Sequence, residues 1–292
     1  ETLCFNDDIQ GTASVTLAGL YSAGRITGRR LGDEKILFHG AGEAAIGIGD
    51  LVVGAMMAEG LTKEQAKARC WFMDYKSLVD STRTDLQHHK LPYAHKHGHG
   101  PVPNLLAAVK AIKPTALIGV SGMPQQFTRE IIEEMAKLNK RPLIFALSNP
   151  TANAECSAEQ AYSFSEGRAI FCSGSPFPAY VYKGQTFVPG QGNNAYIFPG
   201  VGLGVVAVAS KRVTDEMFAE AARSLAKLVT EEDLKQGALF PPLPKIREIS
   251  ARIAEAVAEV CYKRGLATVA RPKDLRKTIE AMQYQPVYKD YV

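Results

Sequence analysis

The sequence lacks an apolar run long enough to cross a membrane. Its most apolar stretch, residues 196–210, reads YIFPGVGLGVVAVAS and falls short of the roughly 18 uncharged residues that a spanning helix needs. Because it is short and rich in glycine, we interpret it as a buried helix. We therefore expect no membrane partner.

The sequence also has few cysteines and a small net charge. The five cysteines form no C-x-x-C pair, and their odd number argues against a disulfide framework. The formal net charge is +4, with basic residues scattered rather than gathered, so nucleic acid is excluded as the main partner, whereas small anionic ligands remain compatible. We expect an intracellular protein, with the cytoplasm favoured and the mitochondrion or plastid left open.

The 292 residues that are present have the composition of a globular protein, 46% hydrophobic and 22% charged. This length suits one large or two modest domains. The chain opens on ETLCFNDDIQG without a methionine, which leads us to expect a piece of a longer protein.

Short apolar runs alternate with helical segments over the first two thirds of the chain. The runs KILFH, CWFMD, TALIGV and PLIFALS predict buried strands, and their alternation with helices predicts parallel βαβ units. Residues 214–229 and 246–265 have the spacing of long amphipathic helices. We therefore predict an α/β fold, a doubly wound, mostly parallel Rossmann-like sheet over 7–193, followed by a helical region over 194–292.

Residues 40–45 read GAGEAA and follow a predicted strand. This G-x-G-x-x-A pattern allows a tight turn at Gly40 and close approach of a pyrophosphate at Gly42, with the anion on the helix N-terminus. Asp74 ends the next predicted strand, where an acid meets the adenosine ribose. It comes later than usual because the segment 61–69 is inserted. The alternative is a tight turn without a ligand.

Five polar residues are candidates for a second site. Asp7 and Asp8 begin a helix, and can be helix-start acids or else a hard-metal ligand and an acid–base partner. Asn149 follows a buried strand, while Asn193 and Asn194 lie in a glycine-rich loop. These amides can recognise a carboxylate or hydroxyl, or simply form turns.

Five of the six histidines lie in residues 88–100, HHKLPYAHKHGHG. The tract could bind a metal, but its spacing matches no standard zinc site. We therefore interpret it as a solvated loop.

Taken together, five stretches resemble malic enzymes of the large eukaryotic type, in that family's order: FNDDIQGTASV, ILFHGAGEAAIGI, PLIFALSNPT, FCSGSPF and PGQGNNAYIFPGVGLG. The resemblance runs from about residue 4 to 288. It implies oxidation of (S)-malate with hydride transfer to a nicotinamide cofactor, then decarboxylation to pyruvate, assisted by Mg²⁺ or Mn²⁺.

The resemblance also implies residue roles. Asp8 would be a metal ligand and Asp7 would support the general base. Malate would be held by Asn149 and Asn193, with Asn194 close behind. The cofactor would contact the following residues: Gly40, Ala41, Gly42, Glu43, Asp74, and the GVSG loop at 119–122.

Cofactor class depends on the stretch LQHHKLPYAH. It resembles the NADP-dependent enzymes of plants and animals, which place a lysine where Lys90 falls, and Arg83 could assist in neutralising the 2′-phosphate. Asp74 by itself would favour NAD, but the family keeps an acid there in both classes. We predict NADP, with an NAD-linked malic enzyme as the alternative.

The family's remaining metal ligands, its catalytic lysine and tyrosine and a malate-binding arginine precede the stretches found in this sequence. We therefore expect the chain alone to bind dinucleotide without turning over malate, and its helical region to pack on an absent half. A homodimer or homotetramer is implied for the full-length protein. The competing hypotheses are a non-catalytic dinucleotide-binding module and a dehydrogenase without decarboxylation.

Overall fold

A computed structural model describes residues 3–287, and its centre is a six-stranded parallel sheet. The strands lie across the sheet in the order β2-β1-β3-β4-β5-β8, and every neighbouring pair is parallel. A separate antiparallel hairpin joins β6 to β7. The strands are β1 (Ile36–His39), β2 (Cys70–Met73), β3 (Ala116–Gly119), β4 (Leu143–Ala146), β5 (Ile170–Ser173), β6 (Tyr180–Tyr182), β7 (Gln185–Phe187) and β8 (Gly190–Gln191).

Helices fill the connections and the second part of the chain. They are α1 (Thr12–Thr27), α2 (Glu43–Ala58), α3 (Lys63–Lys67), α4 (Leu105–Ile112), α5 (Arg129–Leu138), α6 (Ala158–Phe164), α7 (Phe198–Ala207), α8 (Asp215–Lys227), α9 (Glu231–Lys235), α10 (Ile246–Lys263) and α11 (Leu275–Met282). A π-helical turn, Asp7–Gly11, leads into α1. None of the helices within residues 3–287 is both long and apolar enough to cross a membrane.

Local sequence explains several helix ends. Thr62 begins α3 with a reciprocal capping box, because its hydroxyl accepts from the Gln65 backbone amide and the Gln65 side chain accepts from the Thr62 backbone amide. α1 ends where Gly28 adopts a left-handed conformation with φ +75°, which a residue without Cβ adopts at little cost.

Both faces of the sheet are buried, as expected for a parallel sheet. Ile36 and Phe38 of β1 join the apolar cluster that includes α1 and α2, whereas Leu37 joins the cluster with α4 and α5 on the opposite face. The alternation along β1 therefore fixes one helical layer on each side. This confirms the doubly wound, Rossmann-like α/β fold.

The C-terminal helices share the first of these cores. α10 packs on α7 and α8, while α1 lies between α8 and α2. Their buried side chains form one cluster with the sheet residues. The division into 7–193 and 194–292 stays a prediction, and its last residues, 288–292, lie outside the described part of the chain.

The apolar stretch 196–210 is only half buried. Gly200 and Gly204 of α7 face α10, whereas Phe198 is 44% and Val206 66% exposed. The interpretation as a buried helix is therefore wrong for one face. Continuous apolar composition predicts a helix here, but it does not tell which side of that helix is covered.

Candidate functional site

The turn between β1 and α2 has the backbone that the glycine pattern predicts. Gly40 has φ +123°, and a Cβ placed there would lie 2.8 Å from the Val120 carbonyl oxygen. Both features require glycine. Gly42 precedes α2, and nothing lies within 4 Å of the position a Cβ would take. The free amides of the first turn of α2 are thus left accessible to an anion.

A cleft of about 520 Å³ opens above this turn. It runs from Asp74, after β2, past the turn to Ser121 and Met123, after β3. β2 lies on one side of β1 and β3 on the other. The cleft therefore lies where the strand order reverses, which is the position at which open α/β sheets bind ligands. Its shape, its glycine turn and its helix N-terminus fit a dinucleotide.

His89 joins the glycine turn to the segment that follows β2. Its Nε2 lies 3.1 Å from the carbonyl oxygen of Ala41, and its Nδ1 lies 3.3 Å from Oε1 of Glu43. The His89 ring therefore lies against the first turn of α2. This contact places Lys90, the next residue, at the cleft.

Asp74 is buried at one end of the cleft and holds two cations. Its Oδ1 accepts from Arg83 Nη1 at 2.9 Å and its Oδ2 accepts from Lys90 Nζ at 3.0 Å. The backbone amides of Lys76 and Ser77 also donate to Oδ1. Burial opposes ionisation of Asp74, but the hydrogen bonds from Arg83 and Lys90 outweigh it and lower the pKa of Asp74 to about 2.

The interpretation of residues 88–100 as a solvated loop is wrong in part. His88–Tyr93 forms a 3₁₀ helix in which Lys90 and Tyr93 are buried. The His97 side chain is only 7% exposed and lies against Trp71. The polar sequence does not predict this packing, because the partner residues lie elsewhere in the chain: Trp71 on β2 and Asp74 just after it. Among residues 3–287, no cluster of three potential metal ligands occurs.

A second cleft, of about 460 Å³, opens beside the ends of β4, β5 and β8. Its lining includes four of the predicted site residues: Asp8, Asn149, Asn193 and Asn194. The fold thus brings together residues from the first turn, from the loop after β4 and from the loop after β8. Asp8 and Asn149 are both exposed, while the Asn193 side chain accepts a hydrogen bond from the Ala195 amide at 2.8 Å.

Asp7 lies behind this cleft. Its Oδ2 accepts a hydrogen bond from Asn194 Nδ2 at 2.5 Å, and its Oδ1 is buried with no hydrogen-bond partner among the described residues. Burial, followed by the neighbouring Asp8 carboxylate, raises the pKa of Asp7 above its ordinary value. Asp7 therefore holds Asn194 in place.

A divalent cation fits this cleft only in part. Asp8 is an exposed oxygen donor of the kind that Mg²⁺ prefers. No three groups of the types His, Cys, Asp or Glu converge there within the described chain. The described residues alone do not complete a metal site.

Sequence reasoning missed Glu155, which lies between the two clefts. It is fully buried, and its carboxylate accepts from the backbone amides of Ser148 and Ser121 at 3.3 and 3.4 Å and from the Ser148 hydroxyl. The Ser148 hydroxyl in turn accepts from the Gly122 amide at 2.9 Å. The single signal in the sequence is an acid flanked by small residues, which is too weak to single it out.

His39 was missed as well. It ends β1, is buried beneath the first cleft, and has an Nδ1 with no hydrogen-bond partner among the described residues. Burial lowers the pKa of His39, so its ring is neutral at physiological pH.

The two clefts lie along one edge of the sheet, since all six parallel strands end there. From one side to the other the order is Asp74 after β2, Gly40 after β1, Ser121 after β3, Ser148 and Asn149 after β4, and Asn193 after β8. Neighbouring strands are about 4.8 Å apart. An extended ligand that follows this edge from the first cleft therefore runs toward the second.

Comparison with known proteins gives consistent relationships. The chain is 52% identical over 292 residues to NADP-dependent malic enzyme 2 of Arabidopsis thaliana, covering 99% of this chain and 49% of that protein. It is 51% identical over 292 residues to NADP-dependent malic enzyme 4, chloroplastic, of the same plant, covering 99% and 45%. The chain thus spans about half the length of the curated relatives it matches.

Solved structures and family models agree with these relationships. The crystal structure of Entamoeba histolytica malic enzyme superposes with a TM-score of 0.75 at 25% identity, covering 96% of this chain and 52% of the other. Residues 9–262 match the family model described as malic enzyme, NAD binding domain. The chain belongs to the malic enzyme NAD-binding domain family.

Proposed function

We propose that the protein, at its full natural length, catalyses oxidative decarboxylation of (S)-malate to pyruvate and CO₂ with reduction of NADP⁺. The observation that carries this proposal is the arrangement of two clefts on one sheet edge. One has the glycine turn and helix N-terminus of a dinucleotide site, and the other gathers Asp8, Asn149 and Asn193. Hydride transfer requires the two ligands to meet, and this edge allows it.

In the second cleft, amides would position the substrate. The exposed Asn149 and the Asn193 side chain would hydrogen-bond the carboxylate and hydroxyl of malate without adding charge. Asn194 would be oriented by its hydrogen bond to Asp7. Because the pKa of Asp7 is raised, we propose that this carboxyl also supports the group that removes the hydroxyl proton.

We further propose that Asp8 contributes one ligand to a Mg²⁺ or Mn²⁺ ion, with the other acidic ligands supplied from outside the described residues. When bound, such an ion supplies Lewis-acid stabilisation of negative charge on the substrate oxygens. Asp8 is suited to this role because its carboxylate is exposed at the cleft and makes no ion pair within residues 3–287.

In the first cleft, the Asp74 cluster favours NADP over NAD. A free carboxylate at this position would accept from the ribose 2′-hydroxyl and repel a 2′-phosphate. Here Oδ2 of Asp74 is engaged by Lys90 and Oδ1 by Arg83, which also pairs with Asp85, so the charge of Asp74 is offset. The Lys90 ammonium has three donors, of which Asp74 uses one, and Lys90 lines the cleft. The remaining donors are suited to a phosphate.

The test is a comparison of initial rates with malate and Mn²⁺, using NADP⁺ or NAD⁺, for the wild-type protein and Lys90→Ala. We expect the wild type to prefer NADP⁺. The variant should lose about tenfold or more in kcat/KM with NADP⁺, since one charge-assisted hydrogen bond to a phosphate contributes about 1.5–3 kcal/mol. Its kcat/KM with NAD⁺ should change little, which also shows that the fold is intact.

Lys96→Ala is the matched control, because Lys96 is an exposed lysine of the same segment. It should leave both values unchanged. Equal use of both cofactors, with no effect of Lys90→Ala, would favour the NAD-linked alternative. Binding of dinucleotide without any reduction of it would favour the non-catalytic module.

We also propose an intracellular location, from the unpaired cysteines, four of which are buried. The chloroplastic relative leaves the plastid as an alternative. Assembly into a homodimer or homotetramer stays a prediction, which sedimentation of the full-length protein would decide.

A further inference from the structure

Glu155 is a buried acid with no cation beside it. Among residues 3–287, no lysine, arginine or histidine forms an ion pair with it, and its partners are two backbone amides and one hydroxyl. All three are donors, so an ionised carboxylate satisfies every one of them. A Cβ on Gly119 would lie 2.3 Å from the Glu155 carboxyl carbon, and the glycine there makes room for this acid.

Glu155 is bonded to the two loops beside which the nicotinamide end of the cofactor would lie. If the proposed function holds, the 2′-phosphate end lies at Asp74, after β2, and the pyrophosphate at Gly40, after β1. The nicotinamide then extends across β3 and β4, because it has to meet the substrate beside Asn149. The loops that end β3 and β4 are the ones whose amides donate to Glu155.

The nicotinamide ring carries a positive charge when oxidised and is neutral when reduced. A carboxylate fixed beneath this end of the cleft therefore stabilises one redox state more than the other. We propose that Glu155 is a positioning residue that orients these two loops, and that its charge favours binding of NADP⁺ relative to NADPH. Burial raises the pKa of Glu155, which places its titration above the range of an exposed glutamate.

The test is the ratio of dissociation constants, Kd(NADPH)/Kd(NADP⁺), measured by calorimetry on the full-length protein. Glu155→Gln keeps the shape of the side chain and removes its charge. We expect this variant to lower the ratio by about tenfold, the effect of a unit charge roughly 12 Å away at an effective dielectric constant of about 20. A ratio equal to that of the wild type would overturn the proposal.

Two controls separate charge from structure. The first is 2′-phospho-ADP-ribose, which has every part of the cofactor except nicotinamide and should bind wild type and Glu155→Gln equally. If the wild type binds neither this fragment nor NADP⁺, the proposed function itself fails. The second is Glu159→Gln, which removes an exposed carboxylate at the first turn of α6 and should leave the ratio unchanged.

If Glu155→Gln binds 2′-phospho-ADP-ribose poorly, the pH dependence of Kd(NADPH)/Kd(NADP⁺) in the wild-type protein still tests the proposal. Both cofactors have the same phosphates, so titration of these groups cancels in the ratio. Apart from Glu155 itself, the loops after β3 and β4 carry one titratable side chain, that of Cys156, and burial raises the pKa of its thiol. Burial also lowers the pKa of His39. Under the proposal the ratio falls as the pH is lowered and Glu155 takes up its proton. A constant ratio would overturn it.

Discussion

At the scale of single residues, Asp74 shows what a sequence can and cannot predict. Its place at the end of β2, near the glycine turn, follows from the spacing of strand and turn signals. Its partners do not follow, because Arg83 and Lys90 lie in a polar segment with no periodicity. The sequence therefore predicts the identity of the acid, while the folded structure determines that its charge is neutralised.

We expect Asp74 to make the protein sensitive to acid. Its pKa is lowered to about 2 from about 3.9 in an unfolded chain. A group whose folded pKa is depressed stabilises the fold above its unfolded pKa, and that stabilisation is lost as pH falls through the folded value. Stability should therefore decrease between about pH 4 and pH 2, measured as the urea midpoint at each pH.

Asp74→Asn should weaken this decrease and should also reduce stability at pH 7, because Lys90 and Arg83 lose their common carboxylate. Glu130→Gln, which removes an exposed carboxylate of α5, is the control and should keep the wild-type dependence. An unchanged pH profile in Asp74→Asn would contradict the assignment of the effect to this carboxyl.

At the scale of helices and strands, periodicity predicted most of the elements. α8 and α10 end within two residues of their predicted limits, because helical spacing is a local signal. The exposure of one face of α7 was not predictable, since its apolar residues surround the helix. What the sequence does mark is the spacing of Gly200 and Gly204, one turn apart on the face toward α10.

The contact between α7 and α10 depends on these small residues. A Cβ on Gly204 would lie 2.6 Å from the Ala254 carbonyl oxygen and 2.9 Å from Val257 Cβ. Gly204→Ala should therefore force the helices apart and lower the free energy of unfolding by about 1–3 kcal/mol. Denaturant titration measures this loss.

Gly202→Ala, in the same helix, is the matched control. Nothing lies within 4 Å of its added Cβ, so this variant should be more stable by roughly 0.5–1 kcal/mol through reduced freedom of the unfolded chain. Equal effects of the two substitutions would show that close packing of α7 on α10 contributes little.

At the scale of the whole molecule, the sequence predicts a parallel sheet but not its strand order. Alternating strands and helices are compatible with several orders, and the choice depends on contacts between distant segments. The same holds for the second cleft, whose residues come from three separate loops. Its four members were named from motifs, but their convergence is a property of the folded sheet.

Since α1, α8 and α10 share one apolar cluster with the sheet, we expect both parts of the described chain to unfold together. Hydrogen exchange of buried amides in β3 and α10 should give the same opening free energy, with the same dependence on denaturant. A lower opening free energy confined to α10 would instead identify the helical region as a separate unit.

The order of the strand ends along one edge has a consequence for how such a protein can diversify. Under the proposed function, the residues that distinguish one dinucleotide from another follow β2, at one end of the edge, whereas those that recognise the acid follow β4 and β8, toward the other. Substitutions at either end leave the opposite set of contacts in place. Selection can therefore change the electron acceptor of this scaffold while preserving its carbon substrate, as two independent traits.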